Sequence, residues 1–225
     1  MGTHRWSASL ICANLLQLQE QLTLLEEYEV DFLHVDVMDG RFVPRFGMYP
    51  EMVQAVKSHC SIPIEVHLMV ENPDPYIEVF CLAGADILTI HLESCRSHLL
   101  KTVEQIQSYE VQVGIALNPA SRLEEIEEIL AEVDYLLLMG INPGILGQKI
   151  KPFMFEKIKK AHHLLVQRKY PTKISIDGGV NFENEEALFE AGADILIGGS
   201  QTIFHPGSSL SDNLARLKQK GYVLS

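Results

Sequence analysis

Short, unbroken apolar runs alternate with longer amphipathic stretches along this chain, and that alternation leaves few folds open. The runs that predict strands are Ser7–Ile11, Phe32–Asp36, Ile64–Leu68, Ile87–His91, Val111–Leu117, Asp134–Met139, Lys173–Asp177 and Ile195–Gly198. Runs such as Tyr135–Met139 and Ile195–Gly198 are apolar without a break, as expected of strands buried on both faces of a parallel sheet. Helical stretches follow each run. They are predicted over Leu15–Glu27 with Asn14 as N-cap, Pro50–Ser58, and from Pro73 or Pro75 to Ala83. The later ones are Ser97–Tyr109, a helix capped by Ser121 with Glu124 in a capping box, Pro152–Arg168, Asn184–Ala191 and Leu210–Gly221. Eight strand–helix pairs in 225 residues fit one small α/β domain, a (β/α)8 TIM barrel, better than an open doubly wound sheet. Residues 1–225 read as that single domain, with residues 1–5 as an N-terminal tail.

Composition narrows the function. The formal charge of −12 argues against a nucleic-acid partner, which needs a basic face. It leaves open an anionic small molecule, because backbone N–H groups bind phosphate without side-chain charge. Four scattered cysteines form no C-x-x-C pair, so they read as free thiols of a reducing cytosol. No run approaches the ~18 apolar residues of a membrane span, and no leader pattern opens the chain, so a cytoplasmic protein without a membrane partner is expected.

The chemistry concentrates at strand ends. In His34-Val35-Asp36 the two polar residues share one strand face, because strand side chains repeat every two residues. His67 ends the third run and Asp177 the seventh. In a barrel of this kind the carboxyl ends of the strands meet at one face. Two imidazoles and two carboxylates there suit one divalent ion, Zn²⁺, Fe²⁺, Mn²⁺ or Co²⁺, with zinc favoured. His91 and Glu93 end the fourth run and are read as neighbours of the ligands. Asp39 is read as a turn former or a partner to a ligand histidine.

The other half of the chain carries glycine-rich loops after three successive strands: Gly144-Ile145-Leu146-Gly147, Gly178-Gly179 and Gly199-Ser200. Glycine lets backbone N–H groups approach a phosphate closely, and barrel phosphate sites are often built from such loops. Met38, Met69 and Met139 also sit at strand ends. They serve either as core filling or as a soft apolar platform against reacting carbons.

Together the blocks His34–Gly40 with Phe42-Val43-Pro44, His67-Leu68-Met69, His91-Leu92-Glu93, Asn142-Pro143-Gly144, Gly147-Gln148 and Asp177-Gly178-Gly179 resemble the ribulose-phosphate 3-epimerases. The resemblance runs from about Ser7 to Phe204. It implies that His34, Asp36, His67 and Asp177 bind the metal and that Asp36 and Asp177 are the acid–base pair. It further implies that Ser9 and His67 touch substrate, that the glycine loops hold phosphate, and that the chain forms a homo-oligomer. The pattern departs from the usual Gly-Phe-Gly-Gly at Ile145-Leu146 and from Val-Pro-Asn at Arg45. The turn Gly199-Ser200-Gln201-Thr202-Ile203-Phe204 is one residue longer than usual. That turn and Cys12 resemble the allulose-6-phosphate 3-epimerase branch.

The leading expectation is therefore a metal-dependent epimerase that inverts C3 of a ketose phosphate, D-ribulose 5-phosphate to D-xylulose 5-phosphate. The same chemistry on D-allulose 6-phosphate is the near rival. A non-catalytic barrel that binds a phosphosugar is the rival of another class.

Overall fold

The structure is a computed structural model and describes residues 4–145 and 147–220. Its strands are β1 (Arg5–Ser9), β2 (Phe32–Met38), β3 (Ile64–Met69), β4 (Ile87–His91), β5 (Gln112–Leu117), β6 (Tyr135–Met139), β7 (Lys173–Asp177) and β8 (Ile195–Gly198). Each pairs in parallel with the next, and β8 returns to β1, so the sheet closes as the expected (β/α)8 barrel. The helices are α1 (Leu18–Glu27), α2 (Pro50–His59), α3 (Asp74–Ala83), α4 (Leu92–Cys95), α5 (Leu99–Gln107), α6 (Phe153–Arg168), α7 (Glu185–Glu190) and α8 (Leu210–Gln219).

The strand period of two sorts the sequence into two environments. Outward residues such as Val35, Val66, Leu88, Ile115, Leu136, Ile176 and Leu196 pack beneath the helices in the main hydrophobic core. Inward residues fill the barrel in layers. Phe32, Ile87, Tyr135 and Ile195 close the lower end as an apolar plug. Above it the interior turns polar, with Ser7, His34, Glu65, Thr89 and Ser175 all buried. The next layer holds Ser9, Asp36, His67 and His91, and Met38 and Met69 pack with Val43 at the top. Glycine at 114 is required for this interior. A Cβ there would lie 2.2 Å from the Thr89 hydroxyl, far inside contact distance.

Two expectations are corrected. First, β1 begins at Arg5, and Leu10–Cys12 is a 3-10 turn rather than strand. Trp6 is fully buried and meets Phe189 edge-on at 6.1 Å, so a large ring near the start anchors the first strand. Arg5 is accordingly not tail. Second, the helix expected after Ser121 is two 3-10 segments, Leu123–Glu125 and Glu127–Glu132. Leu123, Ile126, Ile129 and Leu130 are the buried apolar residues of this stretch. The capping contact shifts by one residue: Glu125 accepts from the Arg122 N–H, while Ser121 turns its hydroxyl to Glu93. Of the two readings of Asp39 the turn holds: its carboxylate accepts the N–H groups of Arg41, Phe42 and Glu71. The N-cap at Asn14 stands, accepting from Leu16 N–H ahead of a 3-10 turn over Leu15–Gln17 that leads into α1. Gly221, the expected end of the last helix, lies outside the described residues. No described helix is long and apolar enough to cross a membrane.

Candidate active site

Strand register brings the four expected ligands together. Asp36 pairs with His67 across β2 and β3, and Asp177 ends β7 on the far side of the barrel mouth. One ligand atom from each of His34, Asp36, His67 and Asp177 lies within 4.8 Å of the other three. His34 Nε2 is 3.1 Å from Asp36 Oδ1 and 3.2 Å from His67 Nδ1. His67 Nδ1 is 3.4 Å from Asp36 Oδ1 and 4.0 Å from Asp177 Oδ2. Ser9 donates its hydroxyl to the other Asp36 oxygen at 3.0 Å.

Each histidine is held from behind. His34 Nδ1 lies 2.9 Å from Glu65 Oε2, and Thr89 donates to the other Glu65 oxygen at 2.7 Å. An acceptor-only carboxylate at Nδ1 keeps that nitrogen protonated, so Nε2 is the nitrogen that the neutral ring would offer a cation. His67 Nε2 lies 2.9 Å from His91 Nε2, and His91 Nδ1 lies 3.1 Å from Glu93 Oε2.

The electrostatics match a site built for positive charge. Burial pulls the His34 pKa down, but Asp36 and Glu65 outweigh it and raise it well above the ordinary value. Burial pushes Asp36 up, yet His34 and His67 hold it well below the usual carboxylate range. Burial and the Asp36 charge push Asp177 up to about 7. Burial drops His91 to about 4. Burial works against the Glu93 charge, but His91, Ser121 and the Asn118 N–H bring it down to about 2. Two imidazole nitrogens and two carboxylates converging in a buried pocket are a donor set that fits one divalent cation.

A cleft of about 720 Å³, open to solvent at its mouth, sits over the two carboxylates. Its wall contains Ser9, Asp36, Met38, Met69, Met139, Gly144, Ile145, Gly147, Asp177, Gly178, Gly179, Gly199 and Ser200. The strand-end carboxylates and all three glycine loops thus share one space. His34 and His67 are fully buried beneath it and form no part of that wall. Leu146 lies outside the described residues. Gln148 braces the first loop by donating to the Asn142 and Ile145 carbonyls at 2.8 and 2.9 Å.

Two features escaped the sequence reading. Glu65 was legible as a charge inside the apolar run Ile64-Glu65-Val66, two residues before His67 and so on its face. Arg45 is the only cationic side chain in the cleft wall among the described residues. It had been noted as a departure from pattern, but no sequence signal aims a loop arginine at a cleft.

Known proteins resemble this sequence. The profile of the ribulose-phosphate 3 epimerase family matches residues 5–204. The ribulose-phosphate 3-epimerase of Bacillus subtilis is 40% identical over 193 residues, 85% of this chain and 88% of that protein. That of Methanocaldococcus jannaschii is 40% identical over 193 residues, 86% of this chain and 81% of the other. A chloroplastic ribulose-5-phosphate-3-epimerase of Arabidopsis thaliana is 39% identical over 195 residues, 86% of this chain and 69% of its own length. Among solved structures, KGPDC from Streptococcus mutans in complex with D-R5P superposes with a TM-score of 0.75 at 13% identity, covering 97% of each chain. That likeness speaks for the fold alone.

Proposed function

The chain belongs to the ribulose-phosphate 3-epimerase family and is a carbohydrate-phosphate isomerase. On that premise we propose that it inverts C3 of a ketose phosphate, D-ribulose 5-phosphate to D-xylulose 5-phosphate. The observation that carries this reading is the pair Asp36 and Asp177, two carboxyl groups that open onto one cleft.

Inversion next to a carbonyl needs a proton taken from one face and another delivered to the opposite face. Asp36, held ionised by its histidines, is the ready base. Asp177, which keeps a proton more readily, is the ready acid. Their environments push two like groups apart, the usual route to an acid–base pair. After one turnover in one direction the two roles are exchanged, so the pair serves both epimers. Ser9, donating to Asp36, holds one carboxylate oxygen in place and leaves the other toward the histidines.

His34, Asp36, His67 and Asp177 would hold one divalent ion, with zinc favoured. Bound there, it would stabilise the negative charge that builds on the substrate oxygens as the C3 proton leaves. Met38, Met69 and Met139 line the cleft as apolar surface, which keeps water from the reacting carbons. The loops at Gly144–Gly147, Gly178-Gly179 and Gly199-Ser200 bind the phosphate through backbone N–H groups. The φ angles of Gly178 and Gly179, 92° and 76°, are open to glycine and hardly to other residues. We read the chain as one catalytic domain, acting as a homo-oligomer with a sugar phosphate as its small-molecule partner.

A six-carbon substrate, D-allulose 6-phosphate, is the second reading. Cys12, Ser200 and Gln201, which carry the resemblance to that branch, all stand in the cleft wall. Side-by-side kcat/KM values for both sugar phosphates decide between the two. A higher value for the hexose phosphate would transfer the assignment. Turnover of neither by the zinc- or manganese-loaded protein would overturn epimerisation itself.

A further inference from the structure

We propose that Glu93, acting through His91, fixes the tautomer of His67 and so aims the His67 Nδ1 lone pair into the ligand cluster. The inference rests on the metal-site reading above and assigns roles to two residues outside it.

The argument is a count of protons along one hydrogen-bonded line. Glu93 Oε1 accepts the Asn118 N–H at 2.8 Å and the Ser121 hydroxyl, so that oxygen is committed. Its partner Oε2 faces His91 Nδ1 at 3.1 Å. A carboxylate only accepts, so His91 carries its proton on Nδ1. A neutral imidazole with Nδ1–H has a bare Nε2. That bare nitrogen lies 2.9 Å from His67 Nε2, so His67 must donate from Nε2. In the neutral ring, the form that can bind a cation, His67 Nδ1 is thereby left bare, and it is the nitrogen that faces Asp36 and Asp177.

The two ligand histidines are therefore oriented differently. His34 has its carboxylate, Glu65, in direct contact. For His67 the carboxylate stands one imidazole away. The line is anchored at its far end by Lys157, which donates to the carbonyls of Asn118, Pro119 and Ser121 at 3.1, 3.3 and 2.7 Å. Those residues belong to the same loop that holds Glu93. His91 is fully buried and packs against the ring of Phe42 at 4.8 Å, so it has little room to turn away. His91 and Glu93 are positioning residues in this reading.

Glu93→Gln is the discriminating variant. The glutamine oxygen is claimed by the Asn118 N–H and the Ser121 hydroxyl, which leaves its NH₂ against His91 Nδ1. His91 must then accept at Nδ1 and donate from Nε2. His67 must in turn accept at Nε2 and carry its proton on Nδ1, the ligand position. Long-range ¹H–¹⁵N spectra of the zinc-free protein should show His91 Nδ1–H and His67 Nε2–H in the wild type, and both reversed in the variant. Zinc affinity, measured against a chromophoric chelator, should fall about tenfold to a hundredfold. Glu93→Asp should keep the wild-type tautomers and recover part of the affinity.

A neutral wild-type His67 that carries its proton on Nδ1 instead of Nε2 would overturn the proposal, and that spectrum decides even if Glu93→Gln fails to fold. So would a Glu93→Gln protein with unchanged tautomers and wild-type zinc affinity. Zinc that binds a His67→Ala variant as tightly as the wild type overturns the metal reading instead, and the tautomers alone then judge the relay.

Discussion

Glu65 and His34 face each other across β2 and β3 in register, and the Glu65 carboxylate meets the imidazole Nδ1 at 2.9 Å in the layer directly beneath Asp36. A full negative charge is thus buried under the site for the sake of one histidine. Burial works to raise the Glu65 pKa, but His34 and Thr89 hold it below its ordinary value. Glu65→Gln should weaken zinc binding by about tenfold to a hundredfold while the cleft-facing carboxylates stay in place. Competition against a chromophoric chelator measures this. Unchanged affinity would mean that His34 is oriented without Glu65.

The layer below the ligands has no room to spare. Gly114→Ala would place a methyl 2.2 Å from the Thr89 hydroxyl that serves Glu65. The variant should lose about 1–3 kcal/mol of stability from overpacking alone. Urea denaturation at constant m-value reads it, and a variant as stable as the wild type would contradict the packing described.

Asp36→Asn and Asp177→Asn should each lower epimerisation by about 10²- to 10⁴-fold, the range of a lost general acid or base. They should differ in what survives. The remaining carboxyl group should still exchange the C3 proton of one epimer with deuterated water. Loss of exchange from both epimers in both variants, with metal still bound, would refute the two-base scheme.

The raised pKa of Asp177 makes a signed statement about stability. Its folded-state value of about 7 lies above the unfolded value of 3.8, so the folded protein holds this proton more tightly. The contribution to stability is full below the unfolded value and is lost as pH rises toward 7. In chelator-treated protein, wild type should therefore lose stability relative to Asp177→Asn between pH 4 and 7. Parallel unfolding free energies for the two proteins across that range would show that Asp177 is not perturbed.

Arg45 is the cation of the cleft wall, so its removal should act on a charged substrate before the chemistry. Arg45→Ala should raise KM for a ketose phosphate about fivefold, equivalent to ~1 kcal/mol, with kcat little changed. Added salt should shrink the difference. A fall in kcat at constant KM would place Arg45 in the proton transfer, and equal turnover of unphosphorylated ketoses would remove the phosphate pocket.

Much of this was legible before any coordinates. Unbroken apolar runs such as Tyr135–Met139 and Ile195–Gly198 declared a parallel sheet, and the two-residue period of His34 and Asp36 declared a shared face. What stayed hidden depends on long-range partners. Ser121 reads locally as a helix cap, but its hydroxyl is drawn to Glu93, a residue 28 positions away. Arg5 reads as tail from its position, and only the packing of its neighbour Trp6 against Phe189 shows that the first strand is anchored there. The burial of His67 below the cleft floor depends on how deep its strand sits, which no motif encodes.

The four ligand side chains divide unequally along the polypeptide. His34, Asp36 and His67 come from the first two βα units after β1, whereas Asp177 arrives from the seventh strand, more than a hundred residues later. A fragment that stops after β4 carries three of the set, and the complementary fragment carries one. Neither half-barrel can assemble the centre alone, so the complete centre exists only once the two ends of the chain have met. Ion uptake in refolding or in fragment complementation is therefore a direct signal of ring closure, and a ligand at this centre would act as a clasp between early and late parts of the polypeptide.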